Sequence, residues 1–129
     1  MIDFGTATTF DCISKEGAYF GGVIIPGIGI STNALFSRAA KLPQVKFIKP
    51  DKIIGHNTVD MIQSGIVYGF IGQLESIVKE IIKDERMGPE TSIILTGGFC
   101  KKLAPYVNKD YHIDENLTLF GLNNIALGK

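Results

Sequence analysis

The residues best suited to chemistry come first in the chain, in the run DFGTATT at residues 3–9. Gly5 permits a positive φ and lets backbone approach a ligand closely. Thr6 offers a hydroxyl and an N–H group in the same tight turn, which can donate hydrogen bonds to phosphate oxygens. Asp3 ends a short apolar strand, where its carboxylate could hold a cation beside that phosphate. A polar β-turn whose N–H groups satisfy Asp3 explains the same residues about as well.

Two glycine pairs form the next candidate sites. The pair Gly21 and Gly22 begins the run GGVIIPG at residues 21–27. Glycines inside a strand indicate either close approach of a ligand or neighbouring backbone, or a bulge or sharp twist. Gly97 and Gly98 follow a buried strand, and ligands in open α/β sheets gather at the carboxyl ends of strands. A flat adenine or ribose could lie on that backbone, although a tight strand-to-helix turn is an equal alternative.

A fourth candidate is the run GHNT at residues 55–58, which precedes a long amphipathic segment. Polar groups at a helix N-terminus can bind a carboxylate or a carbonyl group. The simpler interpretation is that Thr58 caps the helix and that His56 is solvated.

These sites need elements to position them, and the apolar pattern predicts nine. Strands are predicted at residues 2–4, 7–13, 18–25, 92–96 and 111–113, and helices at residues 31–40, 59 to about 84, 99–107 and 117–127. Ser31 or Thr32 would cap the first helix. A three-strand meander followed by alternating helices and strands predicts the α/β class, with a mixed sheet flanked by helices in a single domain. It is also the order of a ribonuclease-H-like domain of the actin-like ATPases.

The long helix carries three glycines on one face. Gly65, Gly69 and Gly72 recur with Ser76 at spacings of three and four. Each glycine costs about 0.8–1 kcal/mol relative to alanine inside a helix. The stripe therefore predicts another helix packed closely against it, either within this domain or across a dimer interface.

Composition excludes several function classes. The 129 residues carry 13 Lys and Arg against 13 Asp and Glu, so charge favours neither a nucleic-acid nor a membrane partner. No apolar run is long enough to span a bilayer. The beginning of the sequence does not resemble a signal peptide, and a cytoplasmic protein is expected. Cys12 and Cys100 lack metal-site spacing and are interpreted as reduced thiols.

Taken together, the motifs resemble those of the type III pantothenate kinases, bacterial enzymes of coenzyme A synthesis within the acetate/sugar kinase, Hsp70 and actin superfamily. Residues 3–9 are similar to the family's second phosphate motif, DxGTAxT, and residues 21–27 to its GGxIxPG segment. Asn57 and Thr58 with Ser64 and Gly65 resemble its helix start, and Gly97 and Gly98 its adenosine-side glycine pair. The resemblance covers nearly the whole chain in the same order.

The resemblance implies a role for each matching residue. Asp3 would bind the monovalent cation, potassium or ammonium. Gly5 and Thr6 would contact the ATP phosphates, Gly97 and Gly98 would line the nucleotide side, and Thr58 would contact pantothenate. The implied reaction transfers the γ-phosphoryl group of ATP to pantothenate with Mg²⁺ present. Asp11 matches a family position without an assigned role. Family members are dimers, so the resemblance also implies a homodimer.

The sequence also departs from the family pattern. The family's DxGNT phosphate loop and its GxDR segment, which carries the general base, do not occur in these residues. We therefore expect the C-terminal half of a two-domain kinase, with the N-terminal domain absent, no catalytic residue of its own and no activity alone. The strand leading to Asp3 is short for a core strand, which agrees with this expectation.

Two alternatives stay open. One is half of another small-molecule kinase of the superfamily, such as a ROK-type sugar kinase, although the metal-binding cysteine and histidine clusters usual there are missing. The other is a non-catalytic binding or regulatory domain that keeps the fold. The family once carried the label of accessory transcription factors, but this neutral chain has no basic patch.

Overall fold

The computed structural model describes residues 1–128, which form one mixed β-sheet with helices. The strands are β1 (Ile2–Phe4), β2 (Ala7–Ile13), β3 (Tyr19–Pro26), β4 (Ile94–Thr96) and β5 (His112–Ile113). The helices are α1 (Ile28–Arg38), α2 (Thr58–Ile82), α3 (Cys100–Leu103) and α4 (Leu117–Ala126), and a 3₁₀ turn spans Ala104–Tyr106. The predicted α/β class with a mixed sheet is confirmed.

Sheet order explains how chain segments distant in sequence reach one edge. The order is β3-β2-β1-β4-β5, with β1–β2 and β2–β3 antiparallel and β1–β4 and β4–β5 parallel. The tight turn predicted at Gly5 and Thr6 connects β1 to β2, which pair as an antiparallel hairpin. Strand β1 is central, because it joins the antiparallel meander to the parallel strands.

The core lies between α2 and one face of the sheet. Buried residues of α2 recur every fourth position, which is the spacing that keeps them on one side of a helix. They pack in one cluster with apolar residues of β1, β2 and β4, and the main members are Ile62, Ile66, Phe70, Leu74, Val78, Ile2, Phe4, Phe10 and Leu95. Alternation along β1 places Ile2 and Phe4 on the core face and Asp3 on the other face.

Both predicted helix caps differ from the structure. Helix α1 begins at Ile28, three residues before its predicted start, because Gly27 is its extended N-cap residue. Thr32 donates its hydroxyl to the carbonyl oxygen of Ile28 at 2.6 Å and therefore lies inside the helix. At α2 the N-cap is Asn57, whose side chain accepts from the N–H of Asp60 at 3.0 Å, so Thr58 is the first helical residue.

Nothing in residues 1–128 packs against the glycine face of α2. Gly65, Gly69 and Gly72 are exposed, and a Cβ added at any of them would meet nothing within 4 Å. The prediction of a helix packed on this face inside the domain is therefore wrong. The dimer alternative stays a prediction.

Candidate functional site

The candidate site forms where two parallel strands end side by side. In the β1–β4 register Asp3 pairs with Thr96, so the turn after β1 and the turn after β4 leave the same edge of the sheet. The first turn holds Gly5 and Thr6, both exposed, and the second holds Gly97 and Gly98. The fold therefore brings the predicted phosphate turn and the predicted nucleotide-side glycines to one edge.

Gly97 is in direct contact with β1. Its φ is +88°, and a Cβ added there would lie 2.7 Å from the backbone N of Phe4 and would overlap the Asp3 carboxylate. Only glycine tolerates both the backbone conformation and the missing space. Gly98 is open, because a Cβ there would meet nothing within 4 Å. The two glycines thus differ: Gly97 packs the site together and Gly98 faces open space.

The conformation of the turn between β1 and β2 depends on the residue after β3 as well as on its own glycine. The backbone N–H of Gly27 donates to the carbonyl oxygen of Thr6 at 3.2 Å, and that of Gly5 donates to Ala7 at 3.1 Å. A Cβ at Gly27 would lie 2.7 Å from the carbonyl oxygen of Gly5. The end of the GGVIIPG segment therefore packs against the turn and holds its carbonyl groups in place. This support is a function of Gly27 that sequence reasoning missed, although Gly27 lay within the quoted motif.

The glycine pair at the start of that segment approaches protein backbone. A Cβ at Gly22 would overlap the backbone of Phe10 on β2, and Gly21 has a φ of +106° beside a register shift at Cys12 and Ile13. Of the two interpretations of Gly21 and Gly22, neighbouring backbone together with a strand irregularity agrees with the structure.

The Asp3 carboxylate makes no hydrogen bond or ion pair within residues 1–128. The alternative in which turn N–H groups satisfy Asp3 is therefore wrong. Side-chain oxygens that could hold a cation are the Asp3 carboxylate and the hydroxyl of Thr96, which is fully buried and lacks a hydrogen-bond partner in the described residues. Within residues 1–128 no group of three His, Cys, Asp or Glu residues could hold a metal ion.

A cavity of about 270 Å³ opens beside the second turn. Its lining combines the end of β4, the start of α3 and the residues before and in α4, namely Thr96, Gly97, Gly98, Cys100, Lys101, Glu115, Asn116 and Thr118. The ammonium of Lys101 lies 2.7 Å from the carboxylate of Glu115, and this contact raises the pKa of Lys101. Burial raises the pKa of the Cys100 thiol, which favours its neutral form.

The remaining candidate, Thr58, lies away from the contacts described so far. It is exposed in the first turn of α2. The loop before it is fixed to the helix, because Ser64 donates its hydroxyl to the carbonyl oxygen of Ile53 and Tyr68 donates to that of Pro50 at 3.2 Å. Thr58 therefore begins a helix whose preceding loop is held in place, and its side chain is exposed to solvent.

A larger cavity, about 680 Å³, lies at the opposite end of the strands. Its apolar walls include Ile2, Phe10, Val78, Ile81 and Ile93. None of the site residues predicted from the sequence lines it. In the described residues no helix is both long and apolar enough to cross a bilayer.

Comparison with known proteins shows the family to which this chain belongs. The family model described as type III pantothenate kinase matches residues 1–80. The chain belongs to the type III pantothenate kinase family. Its similarity to a type III pantothenate kinase of Moorella thermoacetica is 52% identity over 122 residues, which covers 95% of this chain and 47% of that protein. One from Brevibacillus brevis is 46% identical over 125 residues, covering 97% of this chain and 48% of that protein.

The chain thus spans about half the length of these family members. A solved structure from Campylobacter jejuni, described under the name of the Baf family of transcriptional activators, matches the fold. Its TM-score is 0.64 at 20% identity, and the match covers 98% of this chain and 56% of that chain. At this identity the likeness concerns the fold alone.

Proposed function

We propose that this chain is the C-terminal half of an ATP-dependent pantothenate kinase. The complete enzyme would transfer the γ-phosphoryl group of ATP to the primary hydroxyl of pantothenate, yielding ADP and 4′-phosphopantothenate in the first step of coenzyme A synthesis. The observation that carries the proposal is the contact of Gly97 with Asp3 and Phe4, since it unites the phosphate turn with the nucleotide-side turn. Family membership supplies the reaction class.

The proposed roles are those that the family resemblance implies, and the meeting of the two turns at one edge of the sheet supports them for all residues except Thr58. Gly5 and Thr6 would donate backbone and hydroxyl hydrogen bonds to ATP phosphates, as exposed turns can. Gly97 and Gly98 would line the nucleotide side, and Thr58 would contact pantothenate. Asp3 would hold a monovalent cation, potassium or ammonium, next to the phosphates, and the uncommitted oxygens of Asp3 and Thr96 fit such an ion.

The chemistry needed from this half is positioning and charge neutralisation. Phosphoryl transfer passes through a transition state whose charge is spread over phosphate oxygens, so donors fixed before the reaction stabilise it. A bound Mg²⁺ would neutralise the phosphate charge when present. The hydrogen bond from the N–H of Gly27 to the carbonyl oxygen of Thr6 supports this proposal, because it holds the turn from its other side.

We also propose the ribonuclease-H-like class of the actin-like ATPases for this domain. The sheet order β3-β2-β1-β4-β5, with an antiparallel meander continued by parallel strands, supports this class.

An N-terminal domain is the proposed partner of this half within the complete enzyme. Relatives are about twice as long. Helix α4 carries no charged residue and leaves its large apolar side chains exposed: Leu119, Phe120, Leu122 and Ile125. An uncharged helix with this much exposed apolar surface is expected to be covered by protein. A homodimer of the complete enzyme is proposed from family resemblance.

Activity assays test the half-enzyme proposal directly. We expect the purified chain alone to form no radiolabelled phosphopantothenate from labelled ATP, because loss of a general base alone costs on the order of 10²–10⁴ in rate. Product formed by this chain alone would contradict the proposal. Mixing it with the N-terminal half of the Moorella thermoacetica relative is expected to restore product formation.

Nucleotide binding tests the site residues. In an ¹H–¹⁵N titration with millimolar ADP, the amides of Thr6, Gly97 and Gly98 should shift together. Thr6→Val should weaken the affinity by about 10-fold or more, since a hydrogen bond to a charged group is lost. Thr6→Ser, which keeps the hydroxyl, should bind nearly as the parent. Tight association with another protein but no binding of nucleotide or pantothenate would favour the regulatory-domain alternative.

A further inference from the structure

Two buried hydroxyls in this sheet have no hydrogen-bond partner within residues 1–128. They belong to Thr8, which is 2% exposed, and Thr96, which is 0% exposed. Buried polar side chains nearly always find a partner, so each orphaned hydroxyl calls for a specific explanation. Only one of the two lies beside another uncommitted polar group.

That neighbour is the Asp3 carboxylate. Asp3 and Thr96 are in register on parallel strands, so their side chains project from the same face of the sheet. Thr8 pairs with Phe4 instead and therefore projects from the core face, among apolar side chains. Thr96 thus shares its surroundings with a carboxylate that also lacks a partner, whereas Thr8 does not.

Gly97 closes this pair of oxygens from the side of β4. Its missing side chain leaves the space that the Asp3 carboxylate occupies. The oxygens of Asp3 and Thr96 are therefore confined between adjacent strand ends and the turn that follows β4.

The charge of the cluster favours a small positive partner of single charge. Carboxylate and hydroxyl oxygens are hard donors suited to alkali and alkaline-earth cations. One carboxylate balances one positive charge, and the described residues contain no cluster of three acidic, histidine or cysteine side chains.

We propose that the hydroxyl oxygen of Thr96 is a second ligand of the cation that Asp3 binds. The Thr96 hydroxyl and the Asp3 carboxylate would bind the same monovalent cation from adjacent strands. This inference rests on the proposed role of Asp3 and adds a residue to which family resemblance gave no role.

Cation-dependent stability tests the inference without any activity assay. Thermal unfolding of the chain is compared in potassium chloride and in tetramethylammonium chloride at equal ionic strength, because a cation that binds only the folded state raises Tm. The parent should be more stable in potassium. Thr96→Val keeps the shape of the side chain, removes the hydroxyl and should raise the apparent Kd for potassium about fivefold or more.

Thr8→Val is the matched control, since it removes the other orphaned hydroxyl from the same sheet. It should keep the full potassium effect, and Asp3→Asn should lose it. If Thr96→Val unfolds, Thr96→Ser and Thr96→Ala replace it: the serine variant should keep the potassium effect and the alanine variant should lose it.

The outcomes separate this inference from the proposed function. A potassium effect that disappears in Asp3→Asn but persists in Thr96→Val, or in Thr96→Ala, overturns the role of Thr96 and leaves that of Asp3 intact. An equal loss in Thr8→Val and Thr96→Val also overturns the inference, because the effect would then belong to the sheet as a whole. A parent chain that potassium does not stabilise overturns both the Asp3 site and its extension.

Discussion

At the scale of single residues, the site depends on glycines that let two turns approach each other. Gly27 lies against the turn at Gly5 and Thr6, Gly97 lies against Asp3, and each contact leaves no space for a side chain. Gly98 follows directly in sequence but faces open space. Neighbouring glycines in one motif therefore have different surroundings: one packs against β1 and the other faces open space.

Replacement of Gly97 by alanine should unfold the site. The added Cβ would lie 2.7 Å from the backbone N of Phe4. The φ of Gly97 is +88°, which a residue with a side chain rarely adopts. We expect Gly97→Ala to lower the free energy of unfolding by about 2 kcal/mol or more, from strain and overpacking together. Urea denaturation measures this change. Gly98→Ala should leave stability nearly unchanged, and equal losses in both variants would contradict the packing role of Gly97.

At the scale of elements, most of the α/β pattern could be predicted from the sequence, but the helix starts could not. Apolar periodicity identified α2, because its buried residues recur at helical spacing along the 25 residues of the helix. The predicted cap is one residue too late at Thr58 and four or five too late at α1, where Gly27 is the cap in place of Ser31 or Thr32. Ser, Thr and Asn all favour cap positions, and local sequence does not choose among neighbours. The site partners Asp3 and Thr96 needed the strand register, which periodicity does not encode.

The two candidates for the α2 cap can be separated by mutation. Asn57→Ala should lower the free energy of unfolding by about 1 kcal/mol, because the N–H of Asp60 loses its side-chain acceptor. Thr58→Ala should change stability little, yet weaken pantothenate binding if Thr58 has its proposed role. Chemical denaturation and calorimetric titration measure the two effects. A larger stability loss in Thr58→Ala would return the cap to that residue.

A side-chain contact joins α2 to the segment before β5, and its strength should depend on pH. The hydroxyl of Tyr111 donates to Glu75 at 2.7 Å. Burial, followed by this hydrogen bond to a carboxylate, raises the pKa of Tyr111 above its ordinary value. Because the unfolded chain releases this proton first, the contribution of Tyr111 to stability is complete below about pH 10 and falls as pH rises further.

Tyr111→Phe should therefore lower the free energy of unfolding by about 1–2 kcal/mol at neutral pH. The difference from the parent should shrink in denaturation curves recorded above pH 10, the ordinary pKa of tyrosine. Tyr106→Phe is the control, as the Tyr106 hydroxyl makes no hydrogen bond among the described residues. A difference that grows with pH would contradict the assigned direction.

At the scale of the whole molecule, the domain has a well-packed core and two surfaces that it does not cover itself. One is the glycine face of α2, and the other is the apolar surface of α4. The sequence spacing identified the glycine face without showing what covers it, because such a pattern marks a close-packing face but does not name its neighbour. The relatives that match this chain are about twice its length.

The glycine face should affect association more than folding. Gly69→Leu replaces a poor helix former in open space, so monomer stability should stay the same or rise by up to about 1 kcal/mol. If the face packs across a dimer interface, sedimentation should show weaker self-association. Asn33→Leu, at an exposed position on α1 and so away from this face, is the control. Unaltered self-association of Gly69→Leu would remove this face from the proposed dimer.

Strand β1 contains three residues and pairs both with its close neighbour β2 and with β4, some ninety positions along the chain. Contacts close in sequence form quickly, whereas distant ones must wait for a long loop to close. The meander of β1, β2 and β3 should therefore assemble first during folding, and β4 should dock onto it late. The turn at Gly5 and Thr6 would then exist before the turn at Gly97 and Gly98 joins it, and pulse-labelled hydrogen exchange should protect the amides of β2 before the amide of Leu95.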